Sequence, residues 1–85
     1  MQEKKTKFKK IIGNLILEKR ILANKSLSLI ANEIGISKSI WFEIEKGNRD
    51  PQLSTIWKIC EGLNIPTSEF IKEIENLLEE DYFLE

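Results

Sequence analysis

The stretch Ile30-Ala31-Asn32-Glu33-Ile34-Gly35-Ile36-Ser37-Lys38-Ser39-Ile40-Trp41-Phe42-Glu43-Ile44-Glu45-Lys46-Gly47 decides the fold. Ile30, Ala31 and Ile34 recur at the spacing that places them on one face of a helix. Gly35 follows at once, where a helix end favours a residue that tolerates a left-handed backbone. Ser37 then offers a hydroxyl to cap a new helix, and Ile40, Trp41 and Ile44 give that helix its buried side. Gly47 ends it. The residues spell two short amphipathic helices that meet at a sharp corner.

Upstream, Phe8, Ile11, Ile12, Leu15, Ile16 and Leu22 recur three or four apart and predict a long first helix from about Thr6 to Ala23. Gly13 lies inside it at a cost of about 1 kcal/mol relative to alanine, a cost that makes sense where something packs closely. Residues 1–5 read as a basic N-terminal arm. Asn24 and Lys25 break the first helix, and Ser26 caps the second, which turns Leu27, Ile30 and Ala31 inward. Downstream, Asn48-Arg49-Asp50-Pro51 is a turn, because proline disfavours helix at the residue before it. A fourth helix from about Ser54 to Leu63 carries Leu53, Ile56, Trp57, Cys60 and Leu63 on its apolar side, with both Trp41 and Trp57 assigned to the core. After Asn64-Ile65-Pro66, Thr67 or Ser68 caps a fifth helix with Glu69 in its first turn, where the dipole favours an acid. Its apolar positions are Phe70, Ile71, Ile74, Leu77 and Leu78. The domain then spans residues 6–79, and 80–85 form an acidic and aromatic tail. No strand-like alternation occurs, so the fold class is all-α with five helices. The central pair is a helix-turn-helix, whose second member can lie in the major groove of DNA.

Composition narrows the chemistry. Eighty-five residues make one small domain that needs nearly every large apolar side chain for its core. One cysteine and no histidine exclude an intrachain disulfide and leave too few ligands for zinc, so no metal or cofactor is expected. Cys60 reads as a small buried hydrophobe, with a redox sensor as the alternative. No nucleophile–base arrangement or glycine-rich phosphate loop suggests an enzyme. The apolar run Ile11–Leu17 is interrupted and lacks a cleavage site, and no run approaches membrane-spanning length; a cytoplasmic protein is expected. Net charge is −1, but it is unevenly spread. Residues 1–25 carry eight Lys/Arg against two acids, residues 26–50 three against four, and residues 51–85 two against eight. The basic end suits phosphate; solvated helix faces are the plainer explanation.

These residues carry a resemblance. Ser26 to Ala31, Ile34-Gly35-Ile36-Ser37-Lys38-Ser39, Ile44-Glu45-Lys46-Gly47-Asn48-Arg49-Asp50-Pro51, Thr55 to Ile59 and Leu63-Asn64-Ile65 together resemble the phage repressor/Cro-type (XRE) domain. The likeness covers roughly Ile12 to Ile71 and is nearest to the DNA-binding half of the XRE–cupin regulators, here without the cupin domain. It implies a compact, lambda-repressor-like five-helix fold and a sequence-specific regulator of transcription, a repressor, that binds double-stranded DNA as a homodimer on a palindromic operator. By the same resemblance, helix 38–46 reads bases through Lys38, Ser39, Phe42 and Glu43. Lysine can donate to guanine, serine can pair with several base edges, phenylalanine can pack on a thymine methyl, and glutamate can accept from cytosine. Phosphate contacts are implied for Ser26, Leu27, Ser37, Lys46, Asn48 and Arg49. An Arg20–Glu45 ion pair is implied as a bridge between the first and third helices. Glu43 and Leu27 depart from the family pattern, which often has Gln, Arg or Lys at the first position and Gln at the second. Surplus apolar surface on the last helix nominates Phe70, Ile74, Leu77, Leu78, Tyr82 and Phe83 as a dimer contact. The competing reading is a protein-binding module of the same fold, an anti-repressor or antitoxin-like partner with weak or no DNA binding.

Overall fold

A computed structural model describes residues 2–78. Five helices follow in order: α1 (Gln2–Leu22), α2 (Leu27–Ile34), α3 (Lys38–Glu45), α4 (Leu53–Gly62) and α5 (Thr67–Leu77). α1 packs against α3 and α5, α2 against α3 and α4, and α4 against α5. The fold is all-α.

One device closes four successive helices. After α1, α2, α3 and α4 the chain turns through a left-handed residue: Asn24, Gly35, Gly47 and Asn64, with φ of 58°, 73°, 77° and 59°. Each time the next amide reaches back five residues: Lys25 to the Arg20 carbonyl at 3.3 Å, Ile36 to Ala31 at 3.0 Å, Asn48 to Glu43 at 3.0 Å, and Ile65 to Cys60 at 2.9 Å. This closure satisfies carbonyls that a helix end would otherwise leave open. Glycine adopts such a φ without a steric penalty, and asparagine is among the few other residues that visit it routinely.

The core draws on every helix: Ile12, Leu15 and Ile16 from α1, Ile30 and Ala31 from α2, Trp41 and Ile44 from α3, Ile56, Ile59 and Cys60 from α4, and Phe70 and Ile74 from α5, with Leu63 just beyond α4. The residues expected to face inward do not all do so. α1 takes in Gln2 to Lys5, set aside above as an arm, because the lysine-rich start continues the helix without a breaker. Leu22, at the end of α1, is 79% exposed. Trp57 is 54% exposed and Leu53 is exposed beside it on α4. Ile56, Ile59, Cys60 and Leu63 already define the buried face of that segment, and Trp41 and Phe70 fill the large aromatic positions of the core. Phe70 and Ile74, nominated for a dimer contact, are spent inside this same core. Leu78 is partly buried against it, leaving Leu77 and Ile71 exposed on α5. Tyr82, Phe83 and the tail 80–85 lie outside the described residues.

Neither Thr67 nor Ser68 caps α5. Pro66 holds that position with extended backbone, and Thr67 is the first helical residue. Burial pushes the Cys60 thiol above its ordinary value of 9.0, against a smaller opposing effect of the nearby Thr67 side chain. The buried thiol is therefore held neutral. Cys60 contributes stability that is fully present below the unfolded thiol's pKa and is lost as pH rises through the higher folded value. Thermal melts between neutral pH and pH 10 should show this alkaline loss in the native chain and a smaller one in Cys60→Ala. A thiol reagent should modify Cys60 only as fast as the domain opens; immediate reaction would contradict its burial.

Candidate nucleic-acid interface

α2 and α3 are set as a pair by their caps. The Ser26 hydroxyl oxygen accepts from the Leu29 amide at 3.1 Å, and the Ser37 oxygen accepts from the Ile40 amide at 3.1 Å. Ser37 and Ser39 hydroxyls also lie 3.4 Å apart. Trp41 and Ile44 are buried and hold α3 from behind, while Lys38, Ser39 and Phe42 face solvent and Glu43 is half-buried. A shallow hollow is lined by Lys38, Ser39, Phe42 and Leu27. Three of the four residues assigned to base reading thus share one surface with the start of α2.

Phe42 is 48% exposed, and the Lys46 ammonium lies over its ring, 5.3 Å from the centroid. That cation–π contact contributes about 0.5–1 kcal/mol at an exposed site. It steadies an aromatic side chain that water would otherwise leave loose. Leu27 is partly buried against the core, so its side chain offers no polar contact; its amide belongs to the first helical turn, whose N–H groups lack internal acceptors. Ser26 and Ser37 are exposed at the two helix starts, and Asn48 and Arg49 are exposed on the loop after Gly47.

Behind this edge lies a compact polar lock. Arg20 donates from Nε to Glu45 Oε2 at 2.6 Å and from Nη2 to Oε1 at 3.1 Å, a bidentate pair across α1 and α3. Its Nη1 donates to the Lys25 carbonyl at 2.9 Å, tying in the loop before α2. The indole Nε1 of buried Trp41 donates to the same Glu45 carboxylate. Sequence reasoning missed this last bond, although Trp41 and Glu45 stand one helical turn apart, the spacing at which side chains meet. It also missed Lys25, which donates to Glu33 Oε1 at 2.9 Å and to the Gly62 carbonyl at 3.2 Å, joining α2 to the end of α4. Among the described residues, no buried side-chain polar atom lacks a partner.

Known proteins are similar to this chain in sequence and in fold. Over 46 residues the chain is 46% identical to the HTH-type transcriptional regulator SutR of Escherichia coli K12, a match covering 54% of this chain and 26% of that protein. It is 28% identical over 70 residues to the cryptic phage CTXphi transcriptional repressor RstR of Vibrio cholerae, covering 82% of this chain and 63% of the relative. The chain therefore spans about a quarter of the first relative and under two thirds of the second. Among solved structures, an HTH_3 family transcriptional regulator from Vibrio cholerae superposes with a TM-score of 0.77 at 34% identity, over 87% of this chain and 42% of that one. The clp gene regulator ClgR of C. glutamicum shares the fold, with a TM-score of 0.77 at 15% identity over 87% of this chain and 96% of its own. The HTH_3 helix-turn-helix family model matches residues 16–70, well over half the chain, with both caps, the corner at Gly35 and the Arg20–Glu45 lock inside it, and the chain belongs to that family.

Proposed function

We propose that this domain is a sequence-specific, double-stranded-DNA-binding regulator of transcription that lays α3 in the major groove. The observation that carries the reading is the open edge of α3, with Lys38, Ser39 and Phe42 facing out and Trp41 and Ile44 locked behind. Ser26 and the Leu27 amide at the start of α2, with Ser37, Lys46, Asn48 and Arg49 around α3, supply the phosphate contacts that orient the domain without reading sequence. The printed names of SutR and RstR, a transcriptional regulator and a transcriptional repressor, support the same role, and repression is the mode proposed here. A homodimer would place two copies of α3 about 34 Å apart on a palindromic site. The apolar side chains that α4 and α5 leave at the surface, Leu53, Trp57, Ile71 and Leu77, are the contact available for it.

Affinity for duplex DNA, followed by fluorescence anisotropy over a range of salt, tests the reading. Log affinity should fall linearly with log salt, with a slope of about −0.9 for each phosphate neutralised. Binding that ignores salt, or no binding at low salt, would favour the alternative role as a protein-binding module. That alternative draws on the acidic Glu43 at the reading edge and on the apolar pair Leu27 and Phe42 beside it. Lys38→Ala should change preference at one or two bases of fragments selected from a random duplex library, at about 1–3 kcal/mol for the lost contact. Equal weakening on every sequence would reassign Lys38 to phosphate.

A further inference from the structure

The first half of α1 runs past the C-terminal end of α3. Lys10 lies so near Gly47 that a Cβ on the glycine would stand 2.8 Å from Lys10 Cγ and 3.0 Å from its Cα. Between the two elements is a groove whose lining includes Thr6, Lys7, Lys10, Asn14, Glu45 and Lys46. Among the described residues Glu45 is the only carboxylate in that lining, and Arg20 and Trp41 already take up its oxygens. Lys10 and Lys46 bring positive charge to the groove, and Thr6 and Asn14 add neutral hydrogen-bonding groups. Lys10 makes no ion pair among the described residues.

This groove is continuous with the α3 edge. Glu45 and Lys46 also line the neighbouring hollow with Leu27 and Phe42, and Leu27 and Phe42 line the next one with Lys38 and Ser39. The family match begins at residue 16, so the part of α1 that carries Lys7 and Lys10 lies outside it. A helix also fixes Lys7 and Lys10 one turn apart, about 5–6 Å between their Cβ atoms. Less side-chain and backbone order then has to be created on binding than with a loose basic arm.

We propose that the N-terminal half of α1 forms a second phosphate-binding ridge, in which Lys7, Lys10 and Lys46 hold the DNA backbone flanking the bases under α3. The proposal rests on the DNA-binding reading and makes the footprint longer than α2 and α3 alone would give.

The test compares wild type with Lys7→Gln/Lys10→Gln on two duplexes, one trimmed to the selected site and one extended on its flanks. Glutamine keeps nearly the helix propensity of lysine, and a thermal melt checks folding. On the extended duplex, the affinity ratio between about 50 and 200 mM salt should shrink about tenfold in the variant, as expected for two lost phosphate contacts. The trimmed duplex should show little change. Lys7→Arg/Lys10→Arg should restore the wild-type salt response, and Lys58→Gln/Lys72→Gln on α4 and α5 should leave it unaltered. An unchanged salt response in the Lys7/Lys10 variant, or an equal loss on both duplexes, overturns the ridge while leaving α3 as the reader. Absence of salt-sensitive binding by the wild type removes both readings together.

Discussion

Replacing Glu45 with alanine is expected to destabilise the domain by about 3 kcal/mol, the lower end of the range for breaking a buried ion pair on one side. Three donors aim at that carboxylate: two from Arg20 and one from the Trp41 indole. The Glu45 side chain is 7% exposed and that of Arg20 15%, so water replaces little of what is lost, though the residual exposure of Arg20 keeps the effect from the top of the range. Against a total stability of about 5–10 kcal/mol for a domain of this size, that is about 30–60%. The melting temperature should drop by about 4–8 °C per kcal/mol. Glu45→Gln separates the contributions, since an amide oxygen can still accept from Trp41 while the charge facing Arg20 is gone; an intermediate loss is expected. Replacing both partners with apolar residues, as in Arg20→Met/Glu45→Leu, should recover only part of the loss, because the apolar pair escapes the cost of burying charge but leaves the buried Trp41 indole N–H without its acceptor. Melting of Glu45→Ala within about 4 °C of wild type would mean that the lock does not hold α1 to α3.

The second large effect is expected at Gly13. On helix propensity alone, Gly13→Ala should stabilise α1 by about 1 kcal/mol. The structure reverses that sign. A Cβ at residue 13 would collide with the Ile44 carbonyl oxygen and stand 2.8 Å from that of Glu45. Both obstacles are backbone atoms of α3, which cannot swing aside as a side chain would. Overpacking of this kind costs about 1–3 kcal/mol or more, and relief requires α1 and α3 to part. We expect a net loss of about 2 kcal/mol in denaturant unfolding. Weaker duplex binding should accompany it, because the displaced helix carries the reading edge. A variant as stable as wild type, or more so, would show that helix propensity prevails and that the approach of α1 to α3 is not close.

Much of the architecture could be read from residues. The corner at Gly35, the caps at Ser26 and Ser37 and the breaks at Asn24 and Asn64 depend on local backbone chemistry, which the sequence displays directly. The helix-turn-helix family followed from the same positions. Facing was harder. Leu53, Ile56, Trp57, Cys60 and Leu63 describe an apolar arc wider than the strip α4 buries, and spacing alone does not say which edge of the arc stays wet. Phe70 and Ile74 read as surplus because the space they fill exists only where α5 packs against both α1 and α4, which is a property of tertiary structure. Thr67 reads as a cap by composition, but the helix starts one residue earlier than that reading requires, with Pro66 in the cap position and Thr67 already helical. The groove holding Lys7, Lys10 and Lys46 brings together residues far apart in the chain, so no local pattern marks it.

Amide chemical-shift mapping during titration with a selected duplex tests most directly whether the α3 edge is the surface that meets DNA. The account predicts shifts concentrated on residues 37–49, at the start of α2 and on the N-terminal half of α1. Shifts centred on α4 and α5 with Lys38, Ser39 and Phe42 unmoved, or no shifts with any duplex, would contradict it.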